Sequence, residues 1–426
     1  MITASKEYPK ASDSEKDNEK DSESMVEIKN MLEKIEPISQ TNNPQIQSIQ
    51  PPYQPDPNES FIKNRFSDYY TKHKIMPPLK IATREFGFGT WVKKIGARHF
   101  SFANDKELQG YLARNAPFFI SYSAAEYKYP AARPIERKIM TGGELVFDID
   151  SNELDVDCIS KHGKAFVCEK CMKAAKDAVS RLINDFLLSD FNVNPSNISV
   201  NWSGNRGYHI HVEEEFNELG GYARREIADY VNGRGIEYDN IFKDKGPKVI
   251  GPKPSDGGWK GRIARTVVER IRNADLESLG IHPRTAKKFY DANASKYIEE
   301  GNWERVYMSK KKDFYSDLIS TIAKMHACHV DEQVTMDISR LIRLPDTLHG
   351  ETGMIAKRIK LNEFDKFNPF KDPLVFGNNP LRVSINKCPE LRIGDQTFGP
   401  FNEEKKELPE FAAIYLICKK VASIAE

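Results

Sequence analysis

The pattern of apolar and polar positions changes near residue 58. Residues 1–57 are mostly Ser, Lys, Glu, Asp, Gln, Asn and Pro and end in QPPYQPDP. Such a stretch cannot bury enough apolar surface to offset its conformational entropy, so a disordered acidic tail is expected over 1–57. Within it Met25, Ile28, Leu32 and Ile35 recur at helical spacing. They read either as a short partner-binding helix or as a transient helix in the tail, since isolated helices this short are marginal. From NESFIKNRFSDYYTKH onward the periodicity is regular. That segment predicts a helix ended by Pro77-Pro78. REFGFGTWVKK and ARHFSFAND predict two strands with a turn between them, and KELQGYLARNA a helix. PFFISYSAAEY and GGELVFDID predict strands, and residues 158–171 a Cys-rich loop. MKAAKDAVSRLINDFLLSDF predicts a long amphipathic helix, and NISVNWS and YHIHVEEE predict strands joined by the tight turn GNRG.

Between about 215 and 325 the pattern is mostly helical, interrupted by the Gly-, Pro- and Lys-rich loop KDKGPKVIGPKPSDGGWKGR. After Asp331 a helix is expected through DISRLIRL, stopping at Pro345. PLRVSIN and LRIGDQTFG predict strands, and ELPEFAAIYLICKKVASIAE a closing helix. No internal repeat is visible. The class is α/β or α+β, with a core over 58–214 and 326–426 and a helical insertion over 215–325.

Composition narrows the options. The 426 residues are 39% hydrophobic and 29% charged, enough for a sizeable core, and they fit neither a collagen-like nor a coiled-coil class. No run approaches the ~20 apolar residues of a membrane-spanning helix. MITASKEYPKASDSEKD has no apolar secretory core. Neither a membrane protein nor a secreted one is expected. The net charge of +1 hides an asymmetry, because residues 1–57 hold 6 Lys against 11 Asp and Glu. The remainder, 57 basic and 51 acidic residues, carries +6. That excess suits a nucleic-acid or nucleotide partner, and equally a well-mixed solvated surface. Six cysteines are too few for a disulfide framework. Cys158, Cys168 and Cys171 fall close together, which suggests a reducing compartment and a metal site.

Four segments carry candidate chemistry. In LVFDID, side-chain alternation along a strand puts Asp148 and Asp150 on one face. A hard dication would relieve their repulsion, as in two-metal phosphoryl-transfer sites. Taken alone, the motif reads more simply as a strand ending in solvent. In WSGNRGYHIHV, Gly204 and Gly207 permit a sharp turn. Ser203, Arg206 and His209 then form a candidate phosphate cradle, the alternative being an ordinary turn with exposed histidines. In DEQVTMDISRLIRLPDTLHGETGM, Asp331 precedes Arg340 and Arg343, placed on one helical face, and His349 in a Gly-rich turn. These could complete a triphosphate and metal site, or be a capped helix with a basic stripe. Finally, Cys158, His162, Cys168 and Cys171 have the spacing of a closed, structural zinc site, with free thiols as the alternative. A P-loop and a Ser-His-Asp elbow are both absent from the sequence.

In their order along the chain, with the Cys/His segment directly after LVFDID, the four segments resemble the catalytic small subunit of the archaeo-eukaryotic DNA primases, of archaeal type, from about residue 60 to 426. LVFDID matches the first acidic motif and SGNRGYHIHV the SG-x-RG-x-H motif. A third acid then precedes R-L-I-R-x-P-x-x-L-H-G-x-T-G. REFGF and ELPEFAAIYL are also similar to family features. The resemblance implies a primase fold, with a mixed-sheet catalytic core, an RRM-like unit, a helical insertion and a small zinc motif. It implies Asp148, Asp150 and Asp331 as ligands of two Mg²⁺ or Mn²⁺ ions. It places Ser203, Arg206, His209, Arg343 and His349 on the nucleotide phosphates. Eukaryotic members have arginine where this chain has Asn205, so no phosphate role is carried there, and position 343 is often lysine. Arg340 matches no family position. The implied activity is template-dependent synthesis of short RNA primers, and possibly DNA, during replication. The implied partners are a primase large subunit, single-stranded DNA, primer and nucleoside triphosphates. The implied place is the archaeal cytoplasm, or the nucleus in a eukaryote. A repair or translesion primase-polymerase of the same superfamily, and a non-catalytic zinc-bearing adaptor, are the alternative readings.

Overall fold

The computed structural model describes residues 56–245, 248–303 and 311–425. The expected tail up to residue 55, with the candidate helix around Met25, Ile28, Leu32 and Ile35, lies outside the described residues. Helix α1 (Pro57–Lys72) starts where Asp56 accepts the backbone N–H of Asn58, which satisfies one of the free donors of a helix start. It ends at Lys72, before the proline pair. Strands β1 (Phe86–Gly89) and β2 (Ala97–Phe100), helix α2 (Asp105–Asn115) and strand β3 (Phe119–Ser123) follow. Next come β4 (Leu145–Asp150), α3 (Glu169–Arg181), β5 (Ile198–Trp202) and β6 (Gly207–Val212). Helices α4 (Gly221–Val231), α5 (Gly258–Arg272) and α6 (Lys311–His326) precede α7 (Glu332–Met336), β7 (Leu341–Arg343) and β8 (Lys357–Ile359). The chain closes with β9 (Pro380–Ile385), β10 (Glu404–Pro409), α8 (Glu410–Cys418) and β11 (Ala422–Ile424).

Two four-stranded sheets frame the molecule, in the orders β7-β3-β1-β2 and β8-β5-β6-β4. The second is antiparallel throughout, and its β4–α3–β5–β6 succession is the RRM-like part of this mixed α/β fold. Two apolar clusters lie beneath these sheets. A third, drawn from residues between Tyr238 and Ile322, holds the helical segment around α5 and α6. A buried ionic chain joins the sheets. Arg84 donates to the carbonyls of Ser123 and Ala124 and to Glu144, whose other oxygen meets His211 Nδ1 at 2.7 Å. Two buried charges sharing hydrogen bonds in this way fix the separation of the elements that carry them.

Four expectations need correcting. DISRLIRL is not one helix: α7 stops at Met336, where Asp337 accepts the backbone N–H of Ser339 at 3.0 Å and turns the chain. Leu341–Arg343 then pairs with Ser121–Ser123 as a strand, so Arg340 and Arg343 do not share a helical face. The closing helix is only α8, because the residues on either side of it are claimed by β10 and β11, both paired to β9. PFFISYSAAEY splits into two strands, Phe119–Ser123 and Ala125–Tyr127, that pair in different sheets. Within the expected Gly/Pro loop, Lys243–Lys245 pairs with Lys248–Ile250. No helix of the described residues is long and apolar enough to cross a membrane.

Candidate active site

The strand pairing places the acids. In β4, Asp148 lies opposite His209 of β6, and Asp150 opposite Gly207. Asp331 comes from elsewhere in the chain, but its backbone N–H donates to the Asp148 carbonyl at 3.0 Å. Residues 183 positions apart (331 − 148) are thereby locked side by side. The Asp331 side chain also caps α7 through the Gln333 N–H.

The turn between β5 and β6 supplies cations and donors. Gly204 has φ +86°, and a Cβ there would sit 2.8 Å from that of His349, so glycine is what lets the two turns touch. Thr352 Oγ1 donates to the Gly204 carbonyl at 2.6 Å and holds them together. Gly207 likewise leaves no room for a Cβ, which would fall 2.2 Å from the Ile149 carbonyl. Ser203 Oγ accepts the Gly207 N–H at 3.2 Å, which leaves its own proton free to donate. Arg206 puts Nε and Nη2 on Asp150 Oδ2 at 3.2 and 2.9 Å and donates from Nη1 to the Lys164 carbonyl at 3.0 Å.

Both histidines are neutral donors. Burial, aided by His211 and Arg343, pushes the His209 imidazole down to about 3. Its Nε2 faces Asp148 Oδ1 at 3.7 Å and its Nδ1 has no hydrogen-bond partner among the described residues. His349 is held well below the usual imidazole range by burial and the surrounding Arg343, Lys94, Lys419 and Arg206. Its Nδ1 accepts the Glu351 N–H at 3.1 Å, so the proton sits on Nε2. Arg343 rests over the Phe119 ring at 5.1 Å and donates to the Ile120 carbonyl; burial lowers it to about 10, which leaves it charged at neutral pH.

Asp148 is perturbed in the opposite sense. Burial, then the charges of Asp150, Glu153 and Asp331, raise its carboxyl to about 8, while Arg206 opposes the rise. An all-oxygen donor set short of positive charge suits a hard dication. The nearest chain cations stand on the other two acids: Arg206 on Asp150, and Arg340 with Nη1 3.6 Å from Asp331 Oδ2.

One cavity of about 280 Å³ gathers these groups. Asp148, Asp150, Asp331, Ser203, Arg206, His209, Arg343 and His349 all line it. Lys94, Ser121 and Arg340 line it too, and sequence spacing did not single out the first two. Arg340 reaches it as a strand-edge residue rather than from a helical stripe.

The Cys/His segment lies beside the cavity: its Lys164 carbonyl accepts from Arg206, and its last two cysteines open α3. The ligand atoms of Cys158, His162, Cys168 and Cys171 lie within 4.8 Å of one another. His162 Nδ1 donates to the Gly163 carbonyl at 2.8 Å, leaving Nε2, 3.8 Å from Cys171 Sγ, as the ligand. Burial raises Cys171 to about 12, so without a metal it is a thiol. A Cys₃His set of this size is consistent with tetrahedral zinc.

Carboxylates that invite a dication and donors that suit phosphate, interleaved around one cavity, are the equipment of a nucleotidyltransferase-type enzyme. Comparison with known proteins narrows the class. The sequence model of the family described as DNA primase small subunit matches residues 147–361. The DNA primase small subunit of Methanococcoides burtonii is 32% identical over 393 residues, covering 85% of this chain and 97% of its own length. That of Archaeoglobus fulgidus is 32% identical over 367 residues, with 85% and 98% covered. That of Thermoplasma volcanium is 33% identical over 364 residues, with 84% and 96% covered. The chain belongs to the DNA primase small subunit family.

Proposed function

We propose that this protein is the catalytic subunit of a primase that makes short RNA primers, and possibly DNA, on single-stranded DNA during replication. The observation that carries the reading is the meeting of Asp148, Asp150 and Asp331 with five phosphate-type donors around one cavity. The three carboxylates would hold two Mg²⁺ or Mn²⁺ ions. When bound, such ions supply Lewis acidity at the attacking 3′-oxygen and the α-phosphate. The chain's own part is positioning. Arg206 and Arg343 bring permanent charge to the triphosphate, and Ser203, His209 and His349 donate neutral hydrogen bonds that fix its line of approach. Because the two histidines are neutral at working pH, they donate to phosphate without adding positive charge beside the acids.

The Cys₃His unit would hold one structural zinc, with no open position for catalysis. The family description as a small subunit supports a large-subunit partner, and the archaeal relatives support an archaeal, cytoplasmic setting. In domain terms, residues 58–214 and 326–426 would form the catalytic core and 215–325 an insertion.

The deciding experiment is template-dependent nucleotide incorporation with and without EDTA, for the natural chain and for Asp148→Ala and Asp150→Ala. Incorporation should vanish in EDTA and in both variants while circular dichroism stays native. Full activity in either variant refutes the assignment. Preference for ribonucleotides over deoxyribonucleotides separates this reading from a repair or translesion polymerase.

A further inference from the structure

A second cavity, of about 570 Å³, adjoins the first and shares Lys94 and Arg206 with it. Five cationic side chains line it against a single carboxylate, Glu351. Glu351 is already engaged by Lys94 at 3.1 Å and by Asn205 Nδ2 at 2.9 Å. Lys419, just beyond α8, is oriented into this chamber by two acceptors: Asn205 Oδ1 at 2.9 Å and the Ala165 carbonyl at 2.5 Å. Neither is a charge partner, so the ammonium is aimed but not neutralised. Burial pushes its ammonium down to about 8; of the charges acting on it, Glu351 is attractive and Arg206 and Lys94 are repulsive. Cations clustered in this way, with one acid among them, stand at high positive potential and attract a polyanion.

The ligand chemistry can be narrowed. Two aromatic rings line the chamber, Trp91 and Phe119, and both are buried: Lys420 lies over Trp91 with Phe118 packed on it at 5.0 Å, and Arg343 lies over Phe119 at 5.1 Å, which leaves little ring face for a base. What the chamber offers is charge and hydrogen-bond donors, continuous through Arg206 with the aspartates. We infer that Lys419 and Lys94 bind the terminal phosphates of the incoming nucleotide, and the pyrophosphate that leaves, in a chamber beyond Arg206. This deepens the polymerase reading and rests on it. Asn205 would act as a positioning residue, holding Lys419 by its amide oxygen and Glu351 by its amide nitrogen.

The test reads pyrophosphate binding directly. Inorganic pyrophosphate is titrated into zinc-replete protein free of Mg²⁺ and Mn²⁺, so that the chain's cations alone are read. Lys419→Ala and the exposed-site variant Lys94→Ala should each weaken binding about tenfold, as expected for loss of one charge-assisted contact. Lys419→Arg should keep most of it. Affinity for single-stranded DNA, measured by fluorescence anisotropy, should be unchanged in all three. Natural pyrophosphate affinity in both alanine variants overturns the inference. So does an equal loss of DNA affinity, which would make the chamber a groove for the template backbone. Lys94→Ala keeps the test decisive should Lys419→Ala fail to fold. Failure of the polymerase reading would appear elsewhere, as incorporation that survives Asp148→Ala.

Discussion

The sharpest test of the metal site is the pH dependence of stability, because Asp148 is displaced so far. Its carboxyl rises from 3.8 in the unfolded chain to about 8 in the fold, through burial first and then the neighbouring acids. Between those values the folded state keeps a proton that the unfolded state has lost. Stability without a dication therefore falls as pH rises through that window, and the loss is complete above about 8. Four units at ~1.4 kcal/mol each would give ~6 kcal/mol. The side chain is 27% exposed at the cavity wall, and water and salt there reduce the figure to ~2–3 kcal/mol. With an unfolding entropy of ~2.1 cal/mol/K per residue over roughly 370 residues, that corresponds to ~3–4 °C in Tm. Mg²⁺ binds the ionised carboxylate, so its affinity should rise with pH, by at most about tenfold per unit, up to about pH 8. The assay is thermal unfolding of zinc-replete protein with and without Mg²⁺ from about pH 6 to about pH 9. The Mg²⁺-induced gain in Tm should grow with pH. Asp148→Asn should raise Tm in the absence of Mg²⁺ and remove most of the gain. A gain that is independent of pH, or kept in full by Asp148→Asn, refutes the reasoning.

Zinc should matter beyond stability, because the carbonyls of Lys164 and Ala165, between the proposed ligands His162 and Cys168, hold Arg206 and Lys419. Stripping zinc, checked by elemental analysis, should raise the KM for nucleotide several-fold; an unchanged KM would remove that role. Gly204→Ala should cost about 1–3 kcal/mol, from the strained φ and the close approach to His349, and should weaken nucleotide binding as the two turns separate. Chemical denaturation and equilibrium nucleotide binding check both halves, and natural stability would contradict the contact. Arg206 cannot serve Asp150 and a phosphate at full strength together, so a dication on the acids should tighten nucleotide binding partly by releasing it. Arg206→Ala should shrink that coupling; a coupling of natural size would exclude the exchange.

What the sequence revealed was governed by short spacing. Asp148 and Asp150 are two apart on a strand, so one local periodicity puts both in the cavity. Ser203, Arg206 and His209 share a single turn and strand, and His349 lies in the turn that this one touches. The strand at Leu341–Arg343 was hidden because ISRLIRL satisfies a helical and a strand pattern equally. The open edge of β3, some 220 residues earlier, decides between them. The Asp337 turn then ends α7 after only five residues. Lys94 and Lys419 carried no signal at all. One lies after the β1 turn and the other beyond α8, and only the tertiary fold brings them to Arg206. Likewise α8 was overextended because its flanks are apolar at helical spacing. Their hydrogen bonds go to β9 instead.

Arg206 is where these separate parts act on one another. Its Nε and Nη2 edge balances Asp150, its Nη1 is oriented by the zinc segment, and its charge depresses the neighbouring Lys419. A guanidinium keeps its charge across the working pH range, so which anion it serves is set by what else occupies the acids. Asp148 behaves oppositely. It has no arginine of its own, only the neutral His209 at 3.7 Å, and it carries the site's response to pH. On the proposed function the fold would divide two jobs between adjacent groups: a titrating carboxylate whose ionisation a bound cation draws out, and a permanent cation that the same event releases toward phosphate. On that reading, occupation of the acids and capture of the triphosphate would for that reason be one coupled equilibrium rather than two independent ones.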